Sequence, residues 1–263
     1  MSINIIDVEV CHNCKKETCA YIDRVTKSNT VFASEETVCP TGVLQSNPSQ
    51  MSNLPFNDKK CIDCGLCVGY CSKQNLNITI DTPALNLEHC NSIGMNILVS
   101  NYLNKIFPFA ANSNRNSSVT FDGYVEIGEE KEAFVEVDEK DALECCRNLL
   151  GDFLLYEGQF SSEVNVGLIV LEEIPPLGSN IYTVVDKMHT FPRLEGKEIY
   201  FTTISFLRHL FLQTNTAGSY IFEKVFFNPL RESLAVYQAN AFAEVGLVEA
   251  LKRTSDETSD KSR

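Results

Sequence analysis

The period of the hydrophobic positions changes along the chain, and each change marks an element. Residues 1 to 10, from Met1 to Val10, read as a strand running straight into Cys11. Asn77-Ile-Thr-Ile-Asp81 reads as a second strand that closes the same region. Asp81-Thr82-Pro83 then makes a helix start, with proline in the first turn, and Leu87, Cys90, Ile93, Ile97 and Leu98 recur at three and four residues as far as Phe107-Pro108. That stripe predicts one packing helix and places Cys90 on its apolar face as a core thiol. Ala110 to Ser118 is rich in Asn and Ser and reads as a loop.

From Ser118 the period becomes two. Val119, Phe121, Val125 and Ile127 face one way, and Thr120, Asp122, Tyr124 and Glu126 the other. Gly128 to Lys131 turns the chain into a second alternating strand, Ala133 to Val137, with Glu136 and Asp138 on one face. Charge on a period-two strand ordinarily means a solvated face. Asp141-Ala-Leu-Glu144 is a capping box for a helix whose buried stripe is Leu143, Cys146, Leu150 and Phe153. Val166 to Leu171 is continuously apolar, as is Ile199 to Thr203, which leads into a helix from Ile204 to Phe211. Helix, hairpin, helix, strand, strand, helix predicts an α/β domain with a mixed sheet flanked by helices, over residues 83 to 253. Leu230, Leu234, Tyr237, Ala241, Val245 and Val248 predict an amphipathic C-terminal helix, after which residues 254 to 263 read as a disordered tail.

Composition narrows the class. No apolar run reaches transmembrane length and no export signal precedes the first strand, so a cytoplasmic protein with no membrane segment is expected. The formal net charge of -13 argues against holding nucleic acid by a surface field, because phosphate neutralisation needs Lys and Arg. An acidic surface suits a basic protein partner or simply solubility.

Eight of the eleven cysteines fall between residues 11 and 71, at ligand-like spacings. Cys61-Ile-Asp-Cys64-Gly-Leu-Cys67-Val-Gly-Tyr-Cys71 can wrap three thiolates around one face of a cubane cluster and carry the fourth away along a following helix. A second set, Cys11, Cys14 and Cys19, precedes it, with Cys39-Pro40 between. A zinc ribbon is the alternative for paired Cys-x2-Cys units, although it would leave half of the eight cysteines without a role. His12 and His89 read as ordinary polar residues.

These two runs resemble the bacterial two-cluster ferredoxins, whose halves each give three cysteines to one cluster and a fourth to the other. The resemblance implies a ferredoxin-like α+β module over residues 1 to 82 binding two [4Fe-4S] clusters. One would be held by Cys11, Cys14, Cys19 and Cys71, the other by Cys61, Cys64, Cys67 and Cys39. Three departures stand out: four residues before Cys19 where the family has two, 19 residues between Cys19 and Cys39, and Ser72 instead of proline after Cys71. A single cluster or a three-iron form therefore remains open.

The second domain's order, with Asp122 and Glu136 on a hairpin, resembles the restriction-endonuclease-like PD-(D/E)xK fold. That resemblance implies Asp122 and Glu136 as catalytic carboxylates holding Mg²⁺ at a scissile phosphate. The motif's lysine position is Asp138, and residues 122 to 144 carry ten Asp or Glu against two Lys, which disfavours an approaching phosphate. No Gly-rich phosphate loop appears, His189 and His209 have no nucleophile beside them, and Cys145-Cys146 reads as an adjacent pair with Cys146 buried. The expected function is electron transfer or redox sensing with a protein redox partner or larger complex. The alternative is a metal-dependent nuclease, or a nuclease-like accessory subunit, braced by the clusters.

Overall fold

The computed structural model describes residues 2–5, 40–41, 61–70, 76–79, 85, 87–107, 110–112, 122–126, 132–138, 141–160, 164–213 and 226–237. Strand β1 (Ser2–Ile5) pairs antiparallel with β2 (Leu76–Thr79), Ser2 opposite Thr79 and Ile5 opposite Leu76. The start of the chain is thereby brought back to residue 79. Between them lies a single helical turn, α1 (Leu66–Gly69). Cys11, Cys14, Cys19, Cys39 and Cys71 lie outside the described residues, and with them most of the expected ferredoxin-like module.

The remainder is a mixed five-stranded sheet with helices, in spatial order β3 (Ala110–Asn112), β4 (Gly123–Glu126), β5 (Glu132–Val137), β6 (Val166–Leu171) and β7 (Glu198–Thr203). Strands β3 to β5 run antiparallel, and β5, β6 and β7 run parallel. Each parallel step is made by a crossover helix, α3 (Ala142–Phe160) after β5 and α4 (Asn180–Met188) after β6. Helices α3 and α4 pack together on the sheet, and α2 (Ser92–Ile106) packs against α5 (Ile204–Gln213). Because both helix pairs bury an apolar stripe, the inner strands are covered on both sides: all six residues of β6 are buried. No helix among the described residues is long and apolar enough to cross a membrane.

Several sequence expectations need correction. Within the helix predicted from residue 83, the described residues before Ser92 form a 3-10 turn at Leu87–His89, and α2 opens at Ser92, where Asn91 accepts a hydrogen bond from the Gly94 amide at 2.8 Å. An Asx cap supplied a better start than the upstream proline. The buried stripe of α2 runs through Met95, Leu98, Val99, Tyr102, Leu103 and Ile106, with Leu98 shared with the predicted one and Ile97 only half-buried. Ala110 to Asn112, read as loop, adds an edge strand to β4. Helix α4 went unread because its apolar positions are only Ile181, Val185 and Met188. Half of the capping box expected for α3 is found: Asp141 accepts from the amides of Leu143 and Glu144, whereas its own amide donates to Asp138 and Glu144 pairs with Arg147. Its buried side is Cys145, Cys146, Leu149, Asp152 and Phe153, while Leu143 and Leu150 are only half-buried.

At the end of the described chain, Phe227 bridges antiparallel to Phe201 and residues 230 and 231 form a turn. A helical turn covers residues 234–237; the rest of the predicted C-terminal helix and the tail lie outside the described residues.

Candidate functional site

The cysteine loop is described from Cys61 to Tyr70. Two of its residues take the left-handed backbone conformation, Asp63 (φ 63°) and Gly65 (φ 76°). Asp is among the few side chains that tolerate it, and Gly65 bears it without a Cβ, which would come within 2.9 Å of Leu212. Left-handed residues alternating with ordinary ones curl the backbone so that its N–H groups face a concavity suited to anions, the arrangement found around phosphates and iron–sulfur clusters. The carbonyl of Gly65 accepts from the amides of both Val68 and Gly69, starting α1 at once. Cys64 and Cys67 are buried, and Cys61 is half-buried.

The sandwich holds this loop from outside. The Tyr102 hydroxyl of α2 donates to the Cys64 carbonyl at 2.7 Å, and the Tyr70 hydroxyl donates to the Asn101 carbonyl at 2.8 Å. The Phe211 ring of α5 lies 5.9 Å from the Tyr70 ring in a stacked pose and 5.2 Å from Tyr102. Gly69 faces the Phe211 ring so closely that any Cβ would run into it. Burial pushes the Tyr70 hydroxyl up to about 12 and the Tyr102 hydroxyl well above its ordinary value, so both remain neutral donors.

The donor chemistry of Cys61, Cys64 and Cys67 fits a cubane: three soft sulfurs on one tight loop, two of them shielded from water. Among the described residues no three His, Cys, Asp or Glu side chains gather closely enough to hold one metal ion. A cubane asks less of its protein, since each thiolate meets a different iron.

The second candidate lies where the parallel strands end. Asp122 precedes β4 and Glu136 lies in β5, and the register that pairs Gly123 with Val135 sets the two side by side. Asp122 Oδ2 accepts from the Val137 amide at 2.9 Å, and its Oδ1 accepts from Asn96 Nδ2 of α2 at 2.9 Å. Glu136 is 5% exposed, so the solvated hairpin face expected for it is wrong: β5 is an inner strand and α3 covers it. Asp152 of α3 is 2% exposed, and its charge acts on Glu136. Burial first, then the charges of Asp122 and Asp152, raise the Glu136 carboxyl to about 9. The pair thus holds a proton at neutral pH, and Glu136 Oε1 is buried with no hydrogen-bond partner among the described residues.

Among the described residues no lysine takes the place of the one in the nuclease motif. Asp138 donates its amide to the Val170 carbonyl and accepts from the Asp141 amide at 3.2 Å, tying β5 to the start of α3. Lys197 is buried, but it bonds the Val164 carbonyl at 3.0 Å and Asn165 Oδ1 at 2.8 Å, where the parallel strands begin and not where they end. Lys131 and Lys140 lie outside the described residues. The adjacent pair Cys145 and Cys146 is no reactive site: burial raises Cys146 to about 12, and burial with the nearby carboxylates raises Cys145 further.

Asn96, Tyr102 and Asp152 were missed by sequence reasoning. Asp152 carried a usable signal, because it falls seven residues after Cys145 on the same apolar stripe, an unusual place for a carboxylate. No family model, curated protein or solved structure matches this chain.

Proposed function

We propose that this chain is an iron–sulfur protein that binds two [4Fe-4S] clusters and serves electron transfer or redox sensing, with the sheet domain as the part that engages a partner. The observation that carries this reading is the loop from Cys61 to Cys67, curled by two left-handed residues, with two buried thiols, and clamped by Tyr102 and Phe211. The pairing of β1 with β2 supports a first region that closes on itself.

Cys61, Cys64 and Cys67 would hold one cluster with Cys39, and Cys11, Cys14, Cys19 and Cys71 the other. A bound cluster supplies one-electron chemistry at a potential set by burial and by hydrogen bonds to its sulfurs. The chain's own part is to exclude water with Ile62 and Leu66, at 1% and 0% exposure, and to fix the loop through the Cys64 carbonyl. The partner suited to a net charge of -13 is a basic protein face, and the cytoplasm, where thiols stay reduced, is the fitting compartment.

Anaerobically purified protein is expected to be brown, to contain about eight irons per chain, and to give an electron paramagnetic resonance signal after dithionite reduction. Colourless protein with stoichiometric zinc would overturn the reading.

A second reading has one observation of its own: Asp122 and Glu136 stand side by side across β4 and β5, as a metal-dependent nuclease requires. It demands Mg²⁺- or Mn²⁺-dependent cleavage that is lost in Asp122→Ala. With Asp138 in place of the motif's lysine, an inactive nuclease-like scaffold is the better account of this pocket.

A further inference from the structure

Glycine is a poor helix former, yet Gly94 stands third in α2, in the turn opened by the Asn91 cap. Its missing side chain has a use. A Cβ placed there would come 2.7 Å from the Pro40 carbonyl oxygen, 2.9 Å from Cys90 Sγ and 3.3 Å from Asn91 Oδ1. The nearest of these is backbone, which cannot swing aside as the end of a long side chain can. Both partners are buried, Gly94 on α2 and Pro40 in a turn formed with Thr41. Residue 40 therefore rests in a gap on α2 that a glycine leaves open. The same helix holds the cysteine loop. Tyr102, whose hydroxyl donates to the Cys64 carbonyl at 2.7 Å, follows Gly94 by eight residues, a rise of about 12 Å. The residue after Cys39 and the carbonyl of Cys64 are thus both fixed to one helix of the second domain.

We propose that Gly94 is a positioning residue for the cluster of Cys61, Cys64, Cys67 and Cys39: the gap it leaves seats Pro40 on α2, and Pro40 sets the backbone next to the Cys39 ligand. The proposal rests on the iron–sulfur reading and keeps its ligand set. It adds that this cluster site is built in part by the sheet domain. Ordinary contact with a Cβ begins at 3.4 Å, so a methyl group at position 94 drives the Pro40 carbonyl and α2 apart by several tenths of an ångström. Consecutive Cα atoms are about 3.8 Å apart across a trans peptide, and a shift of Pro40 passes directly to residue 39. Metal–ligand distances hold to about 0.2 Å, which is less than that shift. The other cluster, assigned to Cys11, Cys14, Cys19 and Cys71, has no ligand adjacent to Pro40 in the chain and is not moved by it.

The test uses full-length protein purified anaerobically as wild type, Cys64→Ser, Cys39→Ser, Gly94→Ala, Gly94→Val and Asn91→Ala, with iron counted per folded chain and electron paramagnetic resonance spectra taken after dithionite reduction. Cys64→Ser identifies this cluster's resonance by removing it, and Cys39→Ser is expected to alter the same resonance. Gly94→Ala should weaken it, and Gly94→Val should remove most of it with up to about four of the irons, while the other cluster's resonance stays. Asn91→Ala loosens the same turn of α2 without adding bulk beside Pro40, and should leave the resonance near wild-type intensity. A folded Gly94→Val with full iron and an unchanged spectrum overturns the assignment. So does an Asn91→Ala that loses as much of the resonance as the Gly94 variants, or a Gly94 variant that loses both resonances equally, since each would trace the loss to general stability. Should Gly94→Val not fold, Gly94→Ala against Asn91→Ala decides. Failure of the iron–sulfur reading itself shows differently, as a wild-type protein without iron.

Discussion

The cysteine loop and the carboxylate pocket are both buried polar sites touched by α2, yet they are held by opposite means. In the loop, neutral donors hold a strained backbone in place: Tyr102 on the Cys64 carbonyl, and the Val68 and Gly69 amides on the Gly65 carbonyl. In the pocket, Asp122, Glu136 and Asp152 set like charge against like charge, and a retained proton keeps them together. On the iron–sulfur reading proposed above, a cation would complete the first arrangement, whereas the metal-free second one keeps a proton. Burial of an acid is thus not by itself a sign of a metal site; what matters is whether the charge is still unanswered.

Five substitutions would break or sharpen that contrast. Phe211→Ala removes the ring that packs on Tyr70, Tyr102 and Gly69, and should cost about 3–5 kcal/mol in chemical denaturation. It should also lower iron content, while Glu136 keeps its raised pKa. Next, Glu136→Gln should alter the pH profile of the metal-free protein. The folded carboxyl holds its proton up to about 9 against an ordinary 4.5. Its contribution is therefore full below about 4.5, falls as pH rises, and is gone above about 9. Wild-type unfolding free energy should decline over that window by on the order of a few kcal/mol, and Glu136→Gln should flatten the decline. If the two profiles run parallel, the proton is not where the pocket places it.

Gly69→Ala should cost about 1–3 kcal/mol by forcing a methyl group into the Phe211 ring, with the loss appearing in the loop half alone. Tyr102→Phe leaves the buried Cys64 carbonyl without its donor and should cost about 1–2 kcal/mol, with cluster loss faster in air. Asn91→Ala removes the α2 cap and should cost about 1 kcal/mol. Because α2 serves both sites, it should shift both slightly.

The cysteine loop could be singled out because its three cysteines lie within seven residues of one another. The order of strands and helices was legible for the same reason, each element carrying its own period. The pocket was not, because it is assembled from α2, β4, β5 and α3. From the strand alone, Glu136 alternates with apolar residues and looks solvated; only the helix laid over β5 makes it buried. Cys90 was legible too: a cysteine on an apolar face is usually core, and it is buried in the core.

The ring of Phe211 closing over Gly69 also has a consequence in time. Residue 211 leaves the ribosome 142 positions after residue 69, which at cellular rates of about 5–20 residues per second is roughly 7–30 s. For that interval the cysteines from 61 to 67 exist without the α5 wall that later covers them. On the iron–sulfur reading, delivery of iron and sulfide would find easiest access to the growing chain, before α5 docks.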